Sequence, residues 1–196
     1  MFTSGQTIEN AVTGEEIRFV ETAAETGGAY VVVETLVHPG GAVATRHIHP
    51  HQTERFEVLE GEMTFHVGRE RVTLTAGEAV TVPAGTPHAF RNAGAADARF
   101  RAEVTPALQF EELLATMFAL AADGRTNEQG MPNPLQLAVV ADAYWDTIRV
   151  PFPPAFVQRI GLALLAPVAR LCGYRADAAR AQRSLVAAGR PSALAS

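Results

Sequence analysis

Up to about residue 105, apolar residues fall in short runs that either alternate with polar ones or cluster as β-branched side chains. Glycine or proline closes almost every run. In EIRFVETA, around 15–22, Ile17 and Phe19 alternate with charged neighbours, and Thr26-Gly27-Gly28 follows as a turn. YVVVETLVHP (30–39) is a β-branched run ending at Pro39-Gly40-Gly41. ERFEVLE (54–60) turns at Gly61 into MTFHVG, and RVTLT, AVTVP, HAFRN and ARFRAEV follow in turn. Period-two alternation with turn residues every eight to twelve positions predicts a sandwich or barrel of short strands.

The period changes at Pro106. QFEELLATMFALAADG (109–124) carries apolar residues at helical spacing and stops on glycine. A loop, GRTNEQGMPNP, separates it from PLQLAVVADAYWDTI (134–148), a helix opened by proline. PPAFVQRIGLALLAPVARL (153–171) is a third helix, expected to be kinked or divided at Pro167, and ADAARAQRSLVAAG (176–189) a weaker fourth. The expected organisation is a mainly β unit over 1–105 and a helical extension over 106–196 that packs on it or on a partner subunit.

Composition narrows the function more than the fold. Of 196 residues, 47% are hydrophobic and 19% charged, the balance of an ordinary globular protein. A net charge of −5, with no basic stripe and no basic helix-turn-helix pattern, argues against nucleic acid as a partner. Cys172 is the single cysteine and has no partner for an internal disulfide, which fits a reducing cytoplasm. No signal peptide is evident at the N-terminus. The most membrane-like run, 155–174, contains Arg159, Pro167 and Arg170, and its apolar part is too short to span a bilayer.

Chemistry concentrates in HIHPHQTE (47–54). On a strand, side chains two apart share a face, so His47 and His49 point together with Ile48 opposite. If the chain reverses at 50–53, Glu54 opens the next strand with its carboxylate beside both imidazoles, and Phe56 and Val58 continue its inward face. Two imidazoles and a carboxylate suit a first-row divalent metal. His88, delivered after the turn VPAGTP, is the natural fourth ligand.

These stretches resemble the two motifs of the cupin superfamily. The first reads Gly41-AVATR-His47-Ile-His49-PHQT-Glu54-RFEVLE-Gly61, and the second Gly77-EAVTV-Pro83-Ala-Gly85-TP-His88-AFR-Asn92, with no framing position missing. The resemblance implies a small jelly-roll barrel with His47, His49, Glu54 and His88 converging on iron, manganese, nickel, zinc or copper. It implies a structural role for Asn92 and barrels that pair, an assembly the apolar tail also invites as a homodimer.

The remaining candidates have plainer readings. His51 is expected in the turn facing solvent, His66 on the outer strand face, and His38 at a strand end. Glu57 faces away from Glu54. Arg46, Arg55 and Arg91 read as solvated charges. Phe56, Met63, Phe65, Val67, Val80, Val82 and Phe90 would line or fill the barrel, a lining suited to an apolar or aromatic small molecule. Tyr144 and Trp145 read as docking a helix onto a sheet, or as closing over the barrel mouth. The function favoured is a metal-dependent dioxygenase acting on such a molecule. A non-oxidative isomerase, cyclase or hydrolase, and a binding module without turnover, stand as alternatives.

Overall fold

A computed structural model describes residues 2–43 and 45–187. Nine strands precede four helices among them. The strands are β1 (Thr7–Asn10), β2 (Glu15–Glu21), β3 (Val31–Val37), β4 (Thr53–Glu60), β5 (Glu62–Val67), β6 (Glu70–Thr75), β7 (Ala79–Val82), β8 (His88–Arg91) and β9 (Ala98–Thr105). The helices are α1 (Phe110–Ala122), α2 (Pro134–Ala143), α3 (Ala155–Leu171) and α4 (Ala178–Ala187).

All ladders between the strands are antiparallel, in a six-stranded sheet ordered β1-β2-β3-β9-β4-β7 and a three-stranded sheet ordered β6-β5-β8. The fold is that of a jelly roll. Its two sheets share one core, because alternate residues of each strand turn inward. Phe56 and Phe100 from the larger sheet meet Phe65 and Phe90 from the smaller, with ring centroids 5.0–6.4 Å apart across the layer. Burying such rings is the main stabilising term of the sandwich, at about 1.5–3 kcal/mol for each large apolar side chain. β3, flanked by β2 and β9, is buried along its whole length, which explains its unbroken β-branched run.

Two framing glycines have a steric reason. At Gly61 the backbone φ is +75°, and a Cβ would lie 2.8 Å from the Asp97 carbonyl oxygen. At Gly41 a Cβ would come within 2.9 Å of the carbonyl oxygens of Gly14 and His38. Neither site has room for a side chain.

The helices anchor in a second way. Phe110, Ala115 and Phe118 of α1 join the sandwich core, and Glu111 accepts a hydrogen bond from the Ala23 amide at 2.7 Å. α2 begins with a side-chain cap, Asn133 accepting from the amides of Leu135 and Gln136, with Pro134 in the first turn. Tyr144, just past α2, is buried. Its hydroxyl lies 2.8 Å from Thr116 Oγ1 and donates to the Glu112 carbonyl at 3.1 Å. The residue therefore docks α2 onto α1, a helix, and not onto a sheet as expected. α3 packs on α2 and α4 on α1. Pro167 lies inside α3 without dividing it. No helix of the described residues is long and apolar enough to cross a membrane.

Candidate metal centre

Three backbone features bring the four candidate side chains together. His47 exchanges both backbone hydrogen bonds with His88, at 3.0 and 2.9 Å, so the His-x-His segment lies against the start of β8. The chain then turns at 50–52, and Glu54 becomes the second residue of β4, opposite Val82 on one side and Val104 on the other. A central strand fixes that carboxylate in place. Finally, Ile48 exchanges backbone hydrogen bonds with Arg149, beyond α2, at 2.8 and 2.9 Å.

One ligand atom from each of His47, His49, Glu54 and His88 lies within 4.8 Å of the others, and all four residues are buried. The ring nitrogens that face away are committed. His47 Nδ1 lies 2.9 Å from the Thr45 carbonyl oxygen, His88 Nδ1 3.0 Å from that of Thr86, and His49 Nδ1 2.6 Å from that of Thr147. A carbonyl only accepts, so each Nδ1 carries a proton, and in a neutral ring the Nε2 lone pair is the one left for the centre. Outer partners of this kind fix the tautomer and ring orientation of metal-binding histidines.

The electrostatics agree. Burial, reinforced by His49 and His88, holds the His47 imidazole down at about 3, so it stays neutral over the physiological range. For Glu54, burial works upward, but the surrounding imidazoles, His49 first, outweigh it and hold the carboxyl at about 2. His88 is raised, because Glu54 overcomes the effect of burial. One anion and neutral nitrogen donors are what a divalent transition metal takes. Glu54 Oε2 and His88 Nε2 add a geometric test. They are buried and paired with each other at 2.6 Å, and neither makes a hydrogen bond to any other group. An ion bound by the ring nitrogens and the carboxylate together would satisfy both atoms at once. The donor set fits a metal.

The other sequence candidates fall outside this cluster. His51 is exposed, 3.8 Å from Asp146; His38 pairs with Asp97 at 2.9 Å; His66 is exposed on β5. Glu57 pairs with Arg55 on the outer side of β4, at 2.7 Å. Arg46 reaches the Gly68 carbonyl oxygen, and Arg91 is exposed. Asn92 is fully buried and donates to the carbonyls of Val37 and Ala96 at 2.8 Å each, which ties the loop after β8 to the end of β3. Phe56, Met63, Phe65 and Val82 are buried in the core, with Val67, Val80 and Phe90 packed against it.

Three participants were missed. Gln52, read as part of a polar turn, is 1% exposed; its Oε1 lies 3.1 Å from His49 Nδ1, and its Nε2 donates to the carbonyls of Pro106 and Ala107. Thr147 supplies the carbonyl to His49, and the Phe110 ring lies 5.9 Å from the His49 ring. Position 147 is 98 residues from His49, and no local pattern could have joined them. It is this backbone, more than the rings of Tyr144 and Trp145, that approaches the His-x-His segment. Trp145 instead lies under the guanidinium groups of Arg149 and Arg159, at 4.0 and 5.3 Å from its ring.

A family model for the Cupin_2 cupin domain matches residues 33–104. Over 84 residues the chain is 33% identical to quercetin 2,3-dioxygenase of Bacillus subtilis, a match that takes in 42% of this chain and 25% of that protein. The chain thus spans about a quarter of the length of this curated relative. Among solved structures, a predicted oxalate decarboxylase from Thermotoga maritima is 25% identical, with a TM-score of 0.46 over 53% of this chain and 92% of the other. An RmlC-like cupin from Shewanella frigidimarina is 21% identical, with a TM-score of 0.47 over 56% and 93%. The chain therefore carries a cupin domain over residues 33–104, the stretch in which both motifs are complete.

Proposed function

We propose that His47, His49, Glu54 and His88 hold one divalent transition metal, drawn from iron, manganese, nickel, zinc and copper, and that the chain is a metal-dependent dioxygenase for a small apolar or aromatic molecule. The observation that carries the metal reading is the convergence of three buried imidazoles and one buried carboxylate, with a ligand atom of each within 4.8 Å of the others. Four protein donors leave coordination positions open, and a redox-active ion there would supply electron transfer between an organic molecule and dioxygen. The chain's own part is to hold that ion with one negative charge and three imidazoles in a buried site.

Two observations favour oxidation over acid–base chemistry. Among the described residues, the groups packed on the cluster are the aromatic rings of Phe56 and Phe110 and the amide of Gln52. Of the other buried carboxylates, Glu34 pairs with Arg18 and Arg101, Glu111 accepts from the Ala23 amide, and Glu15 lies at the start of β2. Among the described residues, the cluster takes in no further carboxylate, histidine or cysteine. The similarity to quercetin 2,3-dioxygenase supports the same class. Taken with this reading are a barrel unit over 1–105 with a helical extension over 106–196, a cytoplasmic setting that suits the free thiol of Cys172, and no role for nucleic acid.

Oxygen uptake decides it. Metal-loaded protein incubated with flavonols and other small aromatic molecules should consume dissolved oxygen in proportion to substrate lost, and His49→Ala should stop it. Turnover at the same rate without oxygen would overturn the dioxygenase reading in favour of a non-oxidative isomerase or cyclase. Stoichiometric binding without turnover would make it a binding module.

A further inference from the structure

Exposed large apolar side chains are concentrated on one helix. Val12 and Leu108 stand singly, whereas Phe152, Phe156, Ile160, Leu164, Val168 and Leu171 are all exposed between 152 and 171. Their steps of three and four place those on α3 along one face, with Phe152 just ahead of the helix. The opposite face, Leu162, Ala166 and Ala169, is buried. Phe152 is 81% exposed, Leu164 69% and Leu171 89%. With Val157 and Leu165 at its border, the face presents on the order of 1,000 Å² of apolar surface, more than the ~300–600 Å² patch of a typical monomer. It also matches the ~800 Å² that each partner contributes to a standard stable interface.

The charges around it select the occupant. No acidic residue lies between Asp146 and Asp177, so a helix laid against its own copy meets no buried carboxylate. The flanking Arg159 and Arg170 are both tied to the one carboxylate of Asp142, at 3.1 and 2.8 Å. A membrane surface would need those cations free, and the chain's net charge of −5 opposes anionic lipid. Beside the ridge runs an apolar groove between α2 and α3, about 390 Å³ in volume, walled by Leu137, Ala141, Trp145, Val157, Gly161 and Leu165. A protruding aromatic ridge and an apolar groove on one surface are self-complementary. A two-fold axis lets each copy fill the groove of the other.

We propose that a second copy of this chain covers α3, making a homodimer through the helical extension and not through the edges of the β-sandwich. The interface is independent of any metal and of the reaction. Sedimentation of the full chain at tens of micromolar should show twice the mass of one chain, with and without chelator. Leu164→Arg and, separately, Phe156→Asp should each give single-chain mass with an unchanged far-UV spectrum. Both side chains are largely exposed, so folding should survive; should either variant fail to fold, Phe152→Ser, outside the helix, should still raise the dimer dissociation constant at least tenfold. A wild-type monomer at these concentrations would overturn the proposal. So would a dimer that persists in the folded variants, or co-sedimentation of a monomeric chain with phosphatidylserine vesicles.

Discussion

His49 is held from two directions, and each has a measurable consequence. Its Nδ1 lies within hydrogen-bonding distance of the Thr147 carbonyl and of the Gln52 amide oxygen, which is itself fixed by the carbonyls of Pro106 and Ala107. Outer partners of ligating histidines contribute about 10–100-fold in metal affinity. Gln52→Ala should therefore weaken metal binding by about tenfold while the protein stays folded; titration with a competing chelator reads it, and unchanged affinity would remove Gln52 from the site. Glu15 supplies a different residue-scale test. It opens β2, and burial pushes its carboxyl up to about 7. Because the folded pKa lies above the unfolded value, its contribution to stability is fully present below about pH 4.5 and is lost as pH rises through 7. Glu15→Gln should leave stability nearly unchanged at pH 4.5 and raise it by about 3 kcal/mol at pH 8, as read by denaturant unfolding. Equal effects at both pH values would contradict the assignment.

At the level of elements, strands β2 to β9 were readable because each alternates or runs apolar between glycine and proline stops. β1 was not, since Thr7–Asn10 buries only Ile8 and Asn10 and carries too little apolar signal to stand out. α2 reads longer in the sequence than it is: helical spacing continues past Ala143, but the chain leaves the helix so that Arg149 can pair with Ile48. That pairing is a tertiary demand, invisible to local periodicity. The turn between β4 and β5 shows how tightly the motif glycines are constrained. With φ at +75° and the Asp97 carbonyl 2.8 Å from a Cβ, Gly61→Ala should cost about 1–3 kcal/mol, measured as a lowered urea midpoint. A neutral result would mean the hairpin can relax, and with it the register that places Glu54.

On the scale of the whole molecule, the four-residue cluster was legible because its spacing is fixed within two short stretches, 41–61 and 77–92. What closes it was not. Phe110 and Thr147 come from the helical extension, so the site is assembled by both halves of the chain although its donors lie in one. The expected docking of Tyr144 on a sheet failed for the same reason: an aromatic side chain reports that it will be buried, not against what.

Metal content tests the central claim most directly. The purified wild-type chain, stripped and reloaded, should bind one divalent transition ion per chain, and His88→Ala should lose it with the strand signal in far-UV dichroism retained. A His88→Ala protein that keeps a full equivalent of metal, or a wild-type chain that binds no more tightly than the variant, would contradict it.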